Sequence, residues 1–374
     1  MTARSTGKLD DLVSLSRSYG HDPQYVLLGG GNTSMKDGDV MYVKASGHAL
    51  GTIAEDGFVR MSLPCLSDIW TKVYPQDDSA REDAVLQDLM DCRLPGETAR
   101  PSVEALLHAV IPYGYVVHLH PAMVNGLTCG QSGEDAARIL FPQALWIPLV
   151  KPGYILADVV RRAMAAYRAS HDDTPHVIFL QNHGIFVGAD SPQGIREIYD
   201  AVMKTLSDQV VRRPNFTTVT VDADEIAKIF AGLRMFAGED ADIRMMMNVE
   251  LETKLQNLES FYPISSAFTP DHIVYSGFKP LWIDESVFDA ADTAAEIARR
   301  CEEFSEREGV GPKVVCVQGR GVFAFGEKAS LLFLDTVKVA VFSETFGGVR
   351  FMDDDMIDFI RNWEVEQYRS SVLK

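Results

Sequence analysis

The chain has 374 residues, 46% hydrophobic and 24% charged, a globular profile in a length that suits two domains rather than one. Its formal net charge of −18 argues against a nucleic-acid or anionic-membrane surface, since a phosphate backbone needs clustered Lys and Arg. A small phosphorylated ligand is not excluded, because local amides and one or two cations can hold it.

The first residues, Met1–Lys8, are polar and lack the apolar core of a secretion signal, and no stretch approaches the ~20 apolar residues that span a bilayer. A short helix is expected over 9–19. Three consecutive glycines, Gly29–Gly31, then mark a place where backbone turns or closely approaches something. Gly29–Ser46 reads as a β-hairpin region, with Asp37-Gly38-Asp39 as its turn and Val40–Lys44 as a strand. Residues 64–90 read as helical. Ser102 is the expected N-cap of the next helix, whose apolar stripe is Ala105, Leu106, Ala109 and Val110 and whose end is Pro112.

Tyr115–His120 is a strand stopped by Pro121. Helices follow at 134–140 and 157–170, strands at 177–180 and 185–187, and a helix at 194–211. Strands and helices thus alternate through residue 213, which indicates a mixed α/β layer. Residues 222–260, rich in methionine (Met235, Met245, Met246, Met247), read as a long helical stretch whose methionines fill core or interface gaps. Pro263 and Pro270 mark a boundary. Beyond it, Lys313–Phe323 aligns without gaps to His176–Phe186, with Val, Gln, Gly and Phe coinciding; Arg320 stands where His183 does. This points to a second, related module, the alternative being two independent strand–Gly–strand units. Arg320 reads as an anion contact or as a structural arginine.

Five cysteines (Cys65, Cys92, Cys129, Cys301, Cys316) are scattered and without CxxC spacing, so reduced, buried thiols in a cytoplasmic protein are expected.

The chemistry concentrates at His118 and His120. Residues i and i+2 of a strand share a face, so His-x-His sets two imidazoles side by side, within reach of one cation. Taken alone the pair fits two ordinary strand histidines better than a metal site. His183, at a strand end beside Gly184, is the best third ligand, and three neutral imidazoles with open positions suit a catalytic rather than a structural metal. Glu104, in the first turn of the preceding helix, is either a helix-dipole carboxylate or a general acid/base beside the metal. His108 either orients Glu104 or packs. Asn32, Thr33, Ser34, Ser46, Gly47 and Ser102 offer N–H and O–H donors to a phosphate, with Lys36 or Lys44 adding charge, or simply form a tight turn. There is no GxxxxGK[ST] and no GxGxxG, so neither a P-loop nor dinucleotide binding is supported.

The ordered set GGGNTS, KASG, RPSVE, HLHP and QNHG resembles the class II aldolase/adducin family over roughly residues 10–215, and looks most like its rhamnulose-1-phosphate aldolase branch, often fused to a short-chain dehydrogenase that these 374 residues do not include. The resemblance implies a layered α/β domain with a central mixed sheet (1–255) and a smaller, degenerate aldolase-like C-terminal α/β module (256–374). It implies that His118, His120 and His183 bind Zn2+ or another divalent metal such as Mn2+ or Co2+, that Glu104 moves the proton at the nucleophilic carbon, and that Asn32, Ser46, Gly47 and Ser102 bind the substrate phosphate. The activity implied is cleavage of a ketose 1-phosphate to dihydroxyacetone phosphate and a short aldehyde by a homo-oligomer, a tetramer. Pentulose-phosphate 4-epimerase, decarboxylase and a non-catalytic adducin-like assembly role are the alternatives within the family. The interval from Glu104 to His118 is shorter than in the small fuculose-type members. A tyrosine that family members often take from a neighbouring subunit has no match here.

Overall fold

In the computed structural model, Val40–Lys44 folds back on Asn32–Asp37 through the Gly38-Asp39 turn, as the β-branched and aromatic run of the first and the turn chemistry between them require. Residues 6–363 are described by the structure. They divide into two compact units, one of residues 6–128 and 132–209 with 362–363, the other of 129–131 and 210–361.

The first unit runs α1 (Thr6–Gly20), β1 (Asn32–Asp37), β2 (Val40–Lys44), β3 (Phe58–Ser62), α2 (Leu63–Asp68), α3 (Asp78–Asp91), α4 (Ala105–Val110), β4 (Tyr115–Leu119), α5 (Ala122–Thr128), α6 (Gly133–Leu140), β5 (Leu145–Ile147), α7 (Tyr154–Ser170), β6 (Val177–Leu180), β7 (Gly184–Ala189) and α8 (Pro192–Gln209). Its seven strands form one mixed sheet in the order β3-β2-β1-β4-β7-β6-β5, antiparallel except for the β5–β6 pair. The central strand β4 is buried along its whole length. Met41, Val43, Val59, Val116 and Phe186 are all at most 1% exposed in one core, each burial contributing about 1.5–3 kcal/mol.

The second unit runs α9 (Ala223–Ala237), β8 (Ile243–Met246), α10 (Val249–Lys254), α11 (Leu258–Phe261), α12 (Pro270–Ser276), β9 (Leu281–Ile283), α13 (Thr293–Glu308), β10 (Val314–Val317), β11 (Gly321–Phe325), α14 (Glu327–Ser343) and α15 (Asp354–Asn362). Its sheet has four strands, in the order β8-β11-β10-β9. Ile229, Leu233, Ile283, Ile297, Val315 and Phe323 build its core.

Four expectations are corrected. The helical stretch expected over 222–260 is broken: after α9, Ile243–Met246 is a strand paired with β11, because the polar Gly238–Asp242 segment ends the helix. For the same reason residues 210–255 belong to the second unit, so the division falls at 209/210 rather than 255/256. The helix expected over 64–90 is two helices separated by a break containing Pro75. Cys65 and Cys92, expected as free thiols, are joined: the Ser62 amide donates to the Cys92 carbonyl and Met61 bridges Arg93, so the end of α3 lies along β3 with the two Cα atoms 5.4 Å apart. Cys129, Cys301 and Cys316 are free and buried. Among the described residues no helix is long and apolar enough to cross a membrane.

Candidate metal centre

His118 and His120 meet on one face at the end of β4, their Nε2 atoms 2.9 Å apart, and the strand ends at Leu119, two residues before Pro121. The third histidine arrives through the turn joining β6 to β7. Leu180 pairs with Gly184, Asn182 takes a left-handed φ of +54°, and the His183 amide donates to Leu180 O at 3.2 Å. Gly184 is required at this turn. A Cβ there would lie 2.6 Å from Leu119 O and 2.7 Å from His120 Cδ2, so any side chain would push the end of β4 away.

The three histidines converge. His118 Nε2 lies 2.9 Å from His120 Nε2 and 3.3 Å from His183 Nε2, and one ligand atom from each falls within 4.8 Å of the others. Tetrahedral zinc with bonds of ~2.0–2.1 Å separates its nitrogen ligands by roughly 3.3 Å, close to the two separations measured from His118. The tautomer also fits. His118 Nδ1 lies 2.9 Å from the carbonyl of Ile185, which can only accept, so Nδ1 carries a proton and Nε2 is the ring atom turned to the centre. The Phe186 ring stacks on His118 with centroids 4.0 Å apart and fixes its plane. Neither Ile185 nor Phe186 was singled out by the sequence reading; a β-strand following a candidate ligand is the only signal that points to them.

Glu104 completes the cluster. It stands at the N-cap of α4, one position before the helix, because a turn from Ser102 to Ala105 closes first; the Ser102 hydroxyl, expected as the cap, accepts from the Glu104 amide at 3.2 Å. Glu104 Oε1 lies 3.2 Å from His118 Nε2 and 3.6 Å from His183 Nε2. Burial alone would raise its carboxyl, but the facing imidazoles, His118 first, overcome this and hold it well below the usual carboxylate range. Asn32, opposite His118 in the β1–β4 register, donates from Nδ2 to Glu104 Oε2 at 3.2 Å and to the Ser102 hydroxyl. Its Oδ1 is buried without a partner among the described residues.

Ser46 and Gly47 follow β2. The Ser46 amide donates to Arg100 O and the Ser102 amide to Lys44 O, so the strand end and the segment before α4 run side by side. Gly47 takes a φ of +85°. Buried Lys44 places its amine on the His48 carbonyl across this turn. The other donors expected at the phosphate are engaged elsewhere. The Thr33 and Ser16 hydroxyls bond each other, and Ser34 bonds His108 Nδ1 at 2.7 Å. Lys36 turns to the carbonyls of Ile111 and Tyr113, and burial pushes its amine down to about 7. Fully buried His108 is a packing residue. Burial pushes its imidazole down to about 3, and it meets Phe186 edge-on.

Residues 10–207 match the family model described as the class II aldolase and adducin N-terminal domain. The chain belongs to that family. The class II aldolase sheet and the site just described both fall within the matched residues. A relative from Bacillus subtilis (strain 168), named uncharacterized oxidoreductase YuxG, is 22% identical over 410 residues, covering 96% of this chain; the chain spans 58% of that relative's length. Among solved structures, the N-terminal class II aldolase domain of a conserved protein from Thermoplasma acidophilum is 25% identical over 56% of this chain and 96% of its own, with a TM-score of 0.47. An L-fuculose-1-phosphate aldolase from Thermus thermophilus is 15% identical over 61% of this chain and 98% of its own, with a TM-score of 0.33.

Proposed function

We propose that this chain is a metal-dependent lyase that cleaves a ketose 1-phosphate, of the rhamnulose-1-phosphate type, into dihydroxyacetone phosphate and a short aldehyde. The observation that carries the reading is the convergence of three imidazole Nε2 atoms with a carboxylate oxygen 3.2 Å from one of them. His118, His120 and His183 would hold Zn2+ or a similar divalent ion, Mn2+ or Co2+. Such an ion would supply Lewis acidity toward the substrate carbonyl oxygen.

The remaining roles fall to side chains. Ionised Glu104 removes the proton from the carbon beside the carbonyl in the condensation direction, and in cleavage the same carboxyl returns it. Asn32 grips Oε2, which keeps Oε1 directed at the imidazoles. Ser46, Gly47 and Ser102, the last held in place by Asn32 Nδ2, anchor the substrate phosphate through hydroxyl and backbone N–H donors, with buried Lys44 at the base of the turn. Anchoring the phosphate converts binding energy into orientation of the reacting carbons. Hydride transfer is no part of this reading, since no GxGxxG loop occurs in the sequence.

The test is product analysis by NMR with rhamnulose 1-phosphate, fuculose 1-phosphate and a five-carbon ketose phosphate. Dihydroxyacetone phosphate is the expected product. Inversion at C4 without cleavage would identify an epimerase. A His118→Ala protein retaining full metal content and full rate would overturn the assignment.

A further inference from the structure

The second unit repeats the β4–β7 half of the first in detail. The order β8-β11-β10-β9 reproduces β4-β7-β6-β5, with the same directions in every pair: antiparallel, antiparallel, parallel. β5 and β9 both read Leu-Trp-Ile. α7 and α13 fill the same crossover, and each packs on the helix that precedes the first strand of its set, α4 or α9.

The turns agree atom by atom. Gln181 N donates to Ile147 O at 3.0 Å and Gln318 N to Ile283 O at 2.8 Å. Asn182 N donates to Thr128 O and Gly319 N to Leu255 O, and both donors have left-handed φ, +54° and +66°. His183 N donates to Leu180 O, and Arg320 N to Val317 O. A Cβ on Gly184 would meet Leu119 O, His120 and His118; one on Gly321 would meet Met246 O, Met245 and Met247. In register, His118 faces Phe186 as Met245 faces Phe323.

The positions of His118, His120 and His183 are therefore held by Met245, Met247 and Arg320. We propose that the second unit is an internal copy of the metal-binding half of the first in which the cation has become covalent, the Arg320 guanidinium replacing the ion. This rests on reading the three histidines as a metal centre. Neutral thioethers are weak acceptors, and a guanidinium has no lone pair to give, so this set cannot ligate a divalent ion. The carboxylate survives. Glu225, in the first turn of α9, pairs with Arg320 through Nε and, at 3.1 Å, through Nη2, as Glu104 at the start of α4 faces the histidines. The copy keeps a carboxylate against a positive charge but leaves no open coordination position, so each chain carries one catalytic centre.

The test is cobalt(II) binding by the full chain, read from visible absorption and from metal content after desalting. Wild type is expected to hold one ion per chain and His118→Ala none. Adding M245H, M247H and R320H to the His118→Ala chain is expected to restore one ion, now in the second unit, with tetrahedral cobalt absorption. A variant with native near-UV circular dichroism that takes no ion overturns the proposal, as does a second ion in wild type that survives His118→Ala. If the triple change does not fold, M247H/R320H leaves the core-packed Met245 in place. Cobalt affinity at least ten-fold above that of the His118→Ala parent supports the proposal, and equal affinity overturns it. Cobalt bound by the redesigned chain but not by wild type would remove the first centre's assignment and leave the duplication standing.

Discussion

Gly184→Ala tests how tightly the turn and the strand end are coupled. The added Cβ would lie 2.6 Å from Leu119 O and 2.7 Å from His120 Cδ2, against ordinary contacts of ~3.4 Å or more. The end of β4 must therefore retreat by roughly 0.7 Å, which exceeds the ~0.2 Å tolerance of a metal–ligand bond. The retreat carries His120 away from His183 while His118 stays fixed by Ile185 O. Overpacking at a buried site costs about 1–3 kcal/mol of stability. Displacing a ligand by this route lowers metal affinity by an expected ~10–100-fold, equivalent to about 1.4–2.7 kcal/mol. The assay is zinc titration against a chromophoric chelator, with thermal unfolding of the metal-free chain run in parallel. Gly114→Ala is the control: its Cβ would meet nothing nearer than 3.5 Å, from Asp190, and its zinc affinity should equal that of wild type. If Gly184→Ala binds zinc as wild type does, the turn does not set the histidine geometry and the reasoning fails.

Three further outcomes are expected. Glu104→Gln should keep its metal but lose turnover by ~10²–10⁴-fold, because the amide fills the same space without carrying the proton; metal content and kcat measured on one preparation decide it. Cys65→Ser/Cys92→Ser opens a loop of sequence separation 27, and the chain-entropy relation gives a loss of about 3.5 kcal/mol, read as a lower urea midpoint than that of the oxidised wild type; equal midpoints would mean that the thiols are unpaired in solution. His108 is held at about 3 against its ordinary 6.5, so the unfolded chain binds the extra proton between those values and stability falls as pH drops through that window. His108→Asn should flatten this slope between pH 6.5 and 4 in urea titrations; an unchanged slope would place the acid sensitivity elsewhere.

Much of the site was legible because its information is local. The alternation that puts His118 and His120 on one face needs only three residues, and Gly184 beside His183 marks a turn without reference to any partner. The Gly29–Ser46 hairpin follows from turn chemistry and a β-branched run in the same way. The α5 and β5 segments were missed because seven and three residues carry no readable period. Met245–Met247 read as helix for a related reason, since a short run of methionines fits either period and only pairing with β11 makes it a strand.

What the sequence determined alone was the presence of three ligand-type imidazoles, a hairpin of small polar residues and a second segment patterned like the first. Which groups meet was decided by sheet order. Setting β1 and β7 on either side of β4 brings Asn32 and His183 to His118 and sends Lys36 to the opposite end of its strand, while the segment beside the end of β2 brings in Glu104 and the end of α3 along β3 joins Cys65 to Cys92. Backbone period is fixed by neighbours a few residues away, whereas strand order depends on burying whole faces at once, and no local window contains that sum.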